Sequence, residues 1–177
     1  MTGLADGILM PRLRKAVNVS GNFMTVLEAK HVAQQYVSDM GEVLPGFMFG
    51  LGGEEEFVDK YYFDFIWLTL NGQIPEQPPV AGGARGLTVN KYDKQVELIS
   101  HGGYVVLKDI ESKLTETYQL LSDFKNGKTR LPEIKAKFDL TSEQLFELSK
   151  VIKDTELSRE TIYEIVNGLL DKVKNYR

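Results

Sequence analysis

Tyr61-Tyr62-Phe63-Asp64-Phe65-Ile66-Trp67-Leu68-Thr69-Leu70 is the stretch that decides the fold class. Aromatic and branched residues fill it, and Asn71-Gly72 closes it, which is the signature of a β-strand. Alternation puts Tyr61, Phe63, Phe65 and Trp67 on one face, and Tyr62, Asp64, Ile66 and Leu68 on the other. Both faces are largely apolar, so the strand is expected at the centre of a sheet, covered on both sides. Its aromatic rings read first as core, because a domain of ~85 residues needs the apolar area they bring. Asp64 is the odd residue. A carboxylate among hydrophobes needs a partner when buried, and Arg85 or a backbone N–H is the expected one.

Upstream, Val26 to Asp39 reads as a helix. Ala29, Val32, Ala33, Tyr36, Val37 and Met40 recur at steps of three and four along one face. Thr25 and Glu28 have capping-box spacing, and Gly41 ends the helix. Leu44 to Gly53 holds four glycines and a proline, so it reads as a loop with at most a weak strand at Phe47-Met48-Phe49. Downstream, Ile74 to Arg85 is a Pro- and Gly-rich loop. Leu87 to Lys91 and Val96 to Ser100 form a strand pair around Tyr92-Asp93-Lys94, with Leu87, Val89, Val96 and Leu98 facing inward. His101-Gly102-Gly103 is expected to break the pattern.

Beyond residue 107 the character of the chain changes. Fourteen of its 16 glycines lie before that point, and four helical patterns come after it. The first runs from Tyr104 or Asp109 to Phe124, and the second from Leu131 to Phe138. Thr141 or Ser142 caps the third, which reaches Ile152. Ser158 caps the last, lined by Ile162, Ile165, Val166, Leu169, Leu170 and Val173. The expected architecture is α+β: an N-terminal arm at 1–23, a helix packed on a small antiparallel sheet over 24–107, and a helical subdomain of about four helices over 108–177.

Composition narrows the function classes. The 177 residues include no Cys, which removes disulfides and thiol chemistry. A formal charge of −4 argues against nucleic-acid binding by bulk charge. Residues 1–107 carry the whole excess, with 8 basic and 12 acidic side chains, and 108–177 carry 13 of each. The longest apolar stretch near the N-terminus, Ile8-Leu9-Met10, precedes the basic residues Arg12, Arg14 and Lys15 instead of following them, so it does not read as a secretory signal. No run approaches the ~18 uncharged apolar residues of a membrane span. The expectation is a cytoplasmic protein without a membrane segment.

Chemistry-bearing motifs are sparse. His31 and His101 are the only histidines, and neither has a second at zinc-helix spacing. Glu54-Glu55-Glu56 with Asp59 lacks the Asp-x-Asp-x-Asp-Gly order of a calcium loop and reads as a solvated, mobile acidic turn. Ser100, His101 and Asp64 make a triad only on paper. Gly127-Lys128-Thr129 resembles the tail of a phosphate loop but follows a helix, not a strand. Leu131–Phe138 and Ser142–Ile152 have helix-turn-helix lengths. The second helix carries Glu143, Gln144, Glu147, Lys150 and Lys153 and is close to neutral, so an αα-hairpin is the simpler reading and no nucleic acid is expected. No metal, cofactor or catalytic residue is assigned. A polar pocket around Asp64, Arg85 and His101 is the one place where an enzyme reading would revive.

Three segments together resemble the bacterial immunity protein 35 family. They are Ala29, Ala33 and Tyr36; Tyr62-Phe63-Asp64-Phe65-Ile66-Trp67; and Pro79, Ala81-Gly82-Gly83 with Gly86-Leu87-Thr88-Val89-Asn90-Lys91, closing at Val96. The resemblance runs from Met24 to about Ser100. It departs at Gly86, where a proline is expected, and at Asp93-Lys94-Gln95, where a turn glycine is expected. It implies a non-enzymatic protein of polymorphic toxin systems that binds and neutralises a toxin in the cytoplasm. The partner is then a protein, a basic toxin domain, meeting Glu54, Glu55, Glu56 and Asp59. The C-terminal helices offer a surface for a homodimer. The alternative is a small-ligand-binding or regulatory protein with helix-turn-helix-like C-terminal helices.

Overall fold

The computed structural model describes residues 24–80 and 83–174, with side chains described as far as Val166. The arm expected at 1–23, together with Ala81 and Gly82, lies outside the described residues. The order is α1 (Val26–Met40), β1 (Glu42–Leu44), β2 (Phe47–Glu56), β3 (Lys60–Thr69), β4 (Ala84–Asn90), β5 (Val96–Ser100), α2 (His101–Lys125), α3 (Leu131–Phe138), α4 (Ser142–Asp154) and α5 (Arg159–Lys174). The protein is α+β: a helix, a five-stranded antiparallel sheet, then helices. Two compact units meet in the chain between Ile110 and Glu111, inside α2. Among the described residues no helix is long and apolar enough to cross a membrane.

In the first unit each strand pairs with its chain neighbours, in the order β1-β2-β3-β4-β5. The aromatic strand β3 is central. One face meets α1, whose Ala29, Ala33 and Val37 pack on Tyr61, Phe63, Leu87 and Val89. Alanines at the contact let the helix axis approach the rings. Thr25 caps α1 through a full capping box with Glu28. On the other face Tyr62 joins Phe57, Ile99 and Tyr104, the last from the first turn of α2, with Leu107 packed against them.

Four expectations change. The glycine-rich segment is a ten-residue strand, not a loop. Gly50 and Gly52 serve cross-strand packing here. A Cβ would stand 2.5 Å from Leu68 Cδ1 at Gly50 and 2.8 Å from Ile66 Cγ2 at Gly52, so the β3 side chains lie over bare β2 backbone. Glu54, Glu55 and Glu56 consequently pair across to Phe63, Tyr62 and Tyr61, beyond a bulge between Leu51 and Glu54. They are strand residues and not a mobile loop. His101-Gly102-Gly103 opens α2 instead of breaking the pattern: the first-turn N–H groups of a helix have no intrahelical partner, and Ser100 Oγ accepts from Gly103 N at 3.1 Å. Leu98 does not turn fully inward. It sits on the edge strand β5 and is 43% exposed.

The second unit is helical. Leu114 and Leu121 of α2, Ile134 of α3, Leu148 and Ile152 of α4, and Ile162 and Ile165 of α5 are buried. Thr141 caps α4 with Gln144 completing the box. Ser158 Oγ accepts from Thr161 N at 3.1 Å at the start of α5. Arg159 pairs with Glu111, and Lys125 Nζ donates to the Thr155 carbonyl at 2.6 Å. Helices α3 and α4 form the αα-hairpin, turned by Asp139 in the left-handed region at φ 49°.

Candidate functional site

Asp64 and Arg85 come together on the sheet face that α2 begins to cover. They stand on neighbouring strands, and Arg85 Nε donates to Asp64 Oδ1 at 3.2 Å. The Tyr62 hydroxyl donates to the same oxygen at 2.6 Å. The Arg85 guanidinium lies over the Tyr104 ring, 3.7 Å from its centroid, and that ring packs 4.8 Å from the Tyr62 ring. The Tyr104 hydroxyl donates to Glu55 Oε1 at 2.5 Å, and Lys108 Nζ reaches Glu55 Oε2 at 2.6 Å. The result is an unbroken ladder from Asp64 through Arg85 and Tyr104 to Glu55 and Lys108. His101 does not belong to it: this histidine is exposed at the first position of α2, and no hydrogen bond or ion pair joins it to Asp64 or Arg85 among the described residues. The pocket expected at these three residues is a two-residue pair without the imidazole.

Within the ladder the electrostatics move Tyr62, Tyr104, Glu55 and Lys108 away from neutral pH. Burial, then the bond to Asp64, pushes the Tyr62 hydroxyl up. The bond to Glu55, then burial, does the same to Tyr104. Burial alone would raise Glu55, but the bonds from Lys108 and Tyr104 and the Lys108 charge outweigh it and leave the carboxyl lowered. Glu55 in turn raises Lys108. A general acid or base needs a shift toward neutral pH, and all of these run away from it.

These shifts make the ladder sensitive to pH. A carboxyl lowered below its unfolded value of ~4.3 stabilises fully above that pH and loses its contribution as pH falls through the lowered value. Tyr104, raised above ~10, stabilises below that pH and loses its contribution as pH rises. Amide protection over residues 101–110, taken relative to the intrinsic exchange rate at each pH, should therefore be highest on a plateau between these limits and fall on either side. The Glu55 side chain is 38% exposed, so solvent screening keeps its contribution below ~1 kcal/mol. Glu55→Gln should remove the acid limb, and an unchanged acid limb would assign it to another carboxylate.

The other acids of the expected contact are also engaged. Lys30 of α1 lies 3.1 Å from Glu54 Oε2. Lys91 lies 2.7 Å from Glu56 Oε1, with the lysine side chain only 7% exposed. Lys60 lies 3.6 Å from Asp59 Oδ2. Each of the four carboxylates faces a cation of its own unit, and three of those cations come from other elements. No sequence spacing announces such pairs.

A second feature went unread in the sequence because it needs the hairpin to be built. At the end of β2–β3 away from the glutamates, the Phe49 ring stacks on Phe65 at 4.4 Å and tilts against Trp67 at 4.5 Å. Phe47 meets Trp67 edge-on at 6.3 Å. Thr69 fixes the next turn, its carbonyl accepting from Gly72 N at 2.8 Å and its own N–H donating to Gln73 O at 2.8 Å. Past it, Leu70 is 56%, Ile74 75% and Val80 fully exposed. The connection from Leu70 to Gly83 falls in the ~12–15-residue range above which loops without secondary structure are uncommon and often bind something. No family model, curated protein or solved structure matches the chain.

Proposed function

We propose that this chain is a non-enzymatic protein-binding module, and specifically, on the strength of its resemblance to immunity protein 35, a cytoplasmic protein that neutralises a toxin by binding it. One observation carries the reading: Asp64, Arg85, Tyr104, Glu55 and Lys108 are engaged with one another, while large apolar side chains of the same unit stand in solvent. Groups arranged in this way suit a rigid surface better than a reaction. The C-terminal helices belong to the same proposal as a dimer surface, with Phe146 of α4, 59% exposed, as the residue that would bury.

The test is to mix the purified protein with the products of the two genes that flank its own. A stoichiometric complex on size exclusion, and relief of that product's toxicity on co-expression, are expected. No complex with either product, and no change in growth, would overturn toxin neutralisation.

A further inference from the structure

We infer that the interaction surface is the apolar end of the β2–β3 hairpin with residues 70–80 that follow it, and that it fits a protein partner presenting an apolar knob ringed by lysine or arginine. This rests on the protein-binding function proposed for the chain and replaces the row Glu54–Glu56 as its contact. Three observations lead there.

The first is exposure. Leu70, Ile74 and Val80 are among the most exposed large apolar residues of the first unit, and all three lie on one connection. Trp67 and Phe47, half-buried and edge-on to each other, stand on the strand positions just before that connection and at the start of β2. Aromatic anchors beside exposed aliphatic groups have the composition of an interface centre.

The second is order. The turn that opens the loop is tied by Thr69, whose hydroxyl accepts from Gln73 N at 3.2 Å in addition to the backbone bonds. Pro75, Pro78 and Pro79 then fix φ at three further positions before Val80. A loop held in shape loses less entropy on docking.

The third is charge, and it selects the partner. Between Lys30 and Arg85 the only Lys or Arg is Lys60. That residue opens β3 at the far end of the hairpin and is engaged with Asp59. Near the apolar end stand Glu42, which pairs in register with Met48, and Glu76 on the loop. Glu42 accepts a hydrogen bond from Gly46 N at 2.6 Å, and among the described residues neither carboxylate meets a cation. The glutamate row, by contrast, is neutralised by Lys30, Lys108 and Lys91. An apolar patch edged by uncompensated carboxylates attracts a basic rim and repels an acidic one.

The experiment uses the full chain and the flanking gene product with which it forms a complex. Affinity is read by calorimetry and association rate by stopped flow. Leu70→Asp and Ile74→Asp should each weaken binding at least ~30-fold, in line with interface anchors, with the melting temperature unchanged because both side chains are exposed. Glu42→Lys with Glu76→Lys should slow association several-fold and flatten its salt dependence. Glu54→Gln and Glu56→Gln should bind as the parent does. A complex that tolerates both aspartates and loses affinity at the glutamates would overturn this surface and leave the protein-binding reading intact. A complex weakened by the aspartates but indifferent to the charge reversals would overturn the basic rim. No complex with the unmodified chain would overturn both readings together.

Discussion

Gly86→Ala is expected to destabilise the sheet-bearing unit by about 3 kcal/mol, the upper end of ordinary overpacking. Gly86 is buried in β4 opposite Asp64. A Cβ there would stand 2.1 Å from the Phe63 carbonyl oxygen and 2.8 Å from the Tyr62 hydroxyl. The first of these is main chain of the central strand and cannot swing aside, so β4 would have to separate from β3. For a domain of this size each kcal/mol moves the midpoint by ~4–8 °C, so a fall of roughly 12–24 °C should appear in a thermal melt followed by near-ultraviolet dichroism. Gly50→Ala is the contrasting case, since its Cβ would meet the end of the Leu68 side chain, which can rotate. Equal losses at the two positions would show that main-chain approach is not what Gly86 provides. Arg85 precedes Gly86, so the same change should also loosen the bond to Asp64.

Phe63→Ala should cost ~3–5 kcal/mol, the usual loss for a fully buried phenylalanine. Phe63 has no exposed surface and lies in the cluster with Ala29, Ala33, Leu87 and Val89. The two alanines of α1 have no longer side chain with which to fill the space, which favours the upper half of the range. Phe65→Ala, two residues along the same face and half-buried, should cost clearly less. Urea titration of both variants separates the cases. Similar midpoints would mean that α1 does not pack over Phe63 more tightly than over Phe65.

What could be read from the sequence was what depends on near neighbours. The strand around Phe63, the capping box of Thr25 with Glu28 and the four C-terminal helices are local patterns, and the structure holds them close to where periodicity puts them. Asp64 with Arg85 was reachable because a strand carboxylate among hydrophobes demands a cation and few were near. Two kinds of residue resisted. Gly50 and Gly52 look like turn residues until Leu68 and Ile66 are seen lying over them, and that depends on a register no single segment encodes. The glutamates look solvated until Lys30, Lys91 and Lys108 arrive from α1, from the end of β4 and from α2. His101 was grouped with Asp64 as part of a triad on paper and a polar pocket, and the helix that starts at His101 leaves the imidazole in solvent.

The single tryptophan of the chain is Trp67, set beside Phe47 and Phe49 where the hairpin ends. The chain thus has one indole at that spot and none elsewhere. Emission colour, quenching by iodide or acrylamide, and energy transfer from the tyrosines all become reports from one address, so a titrant that shifts the spectrum without altering the ellipticity has touched that address or something coupled to it.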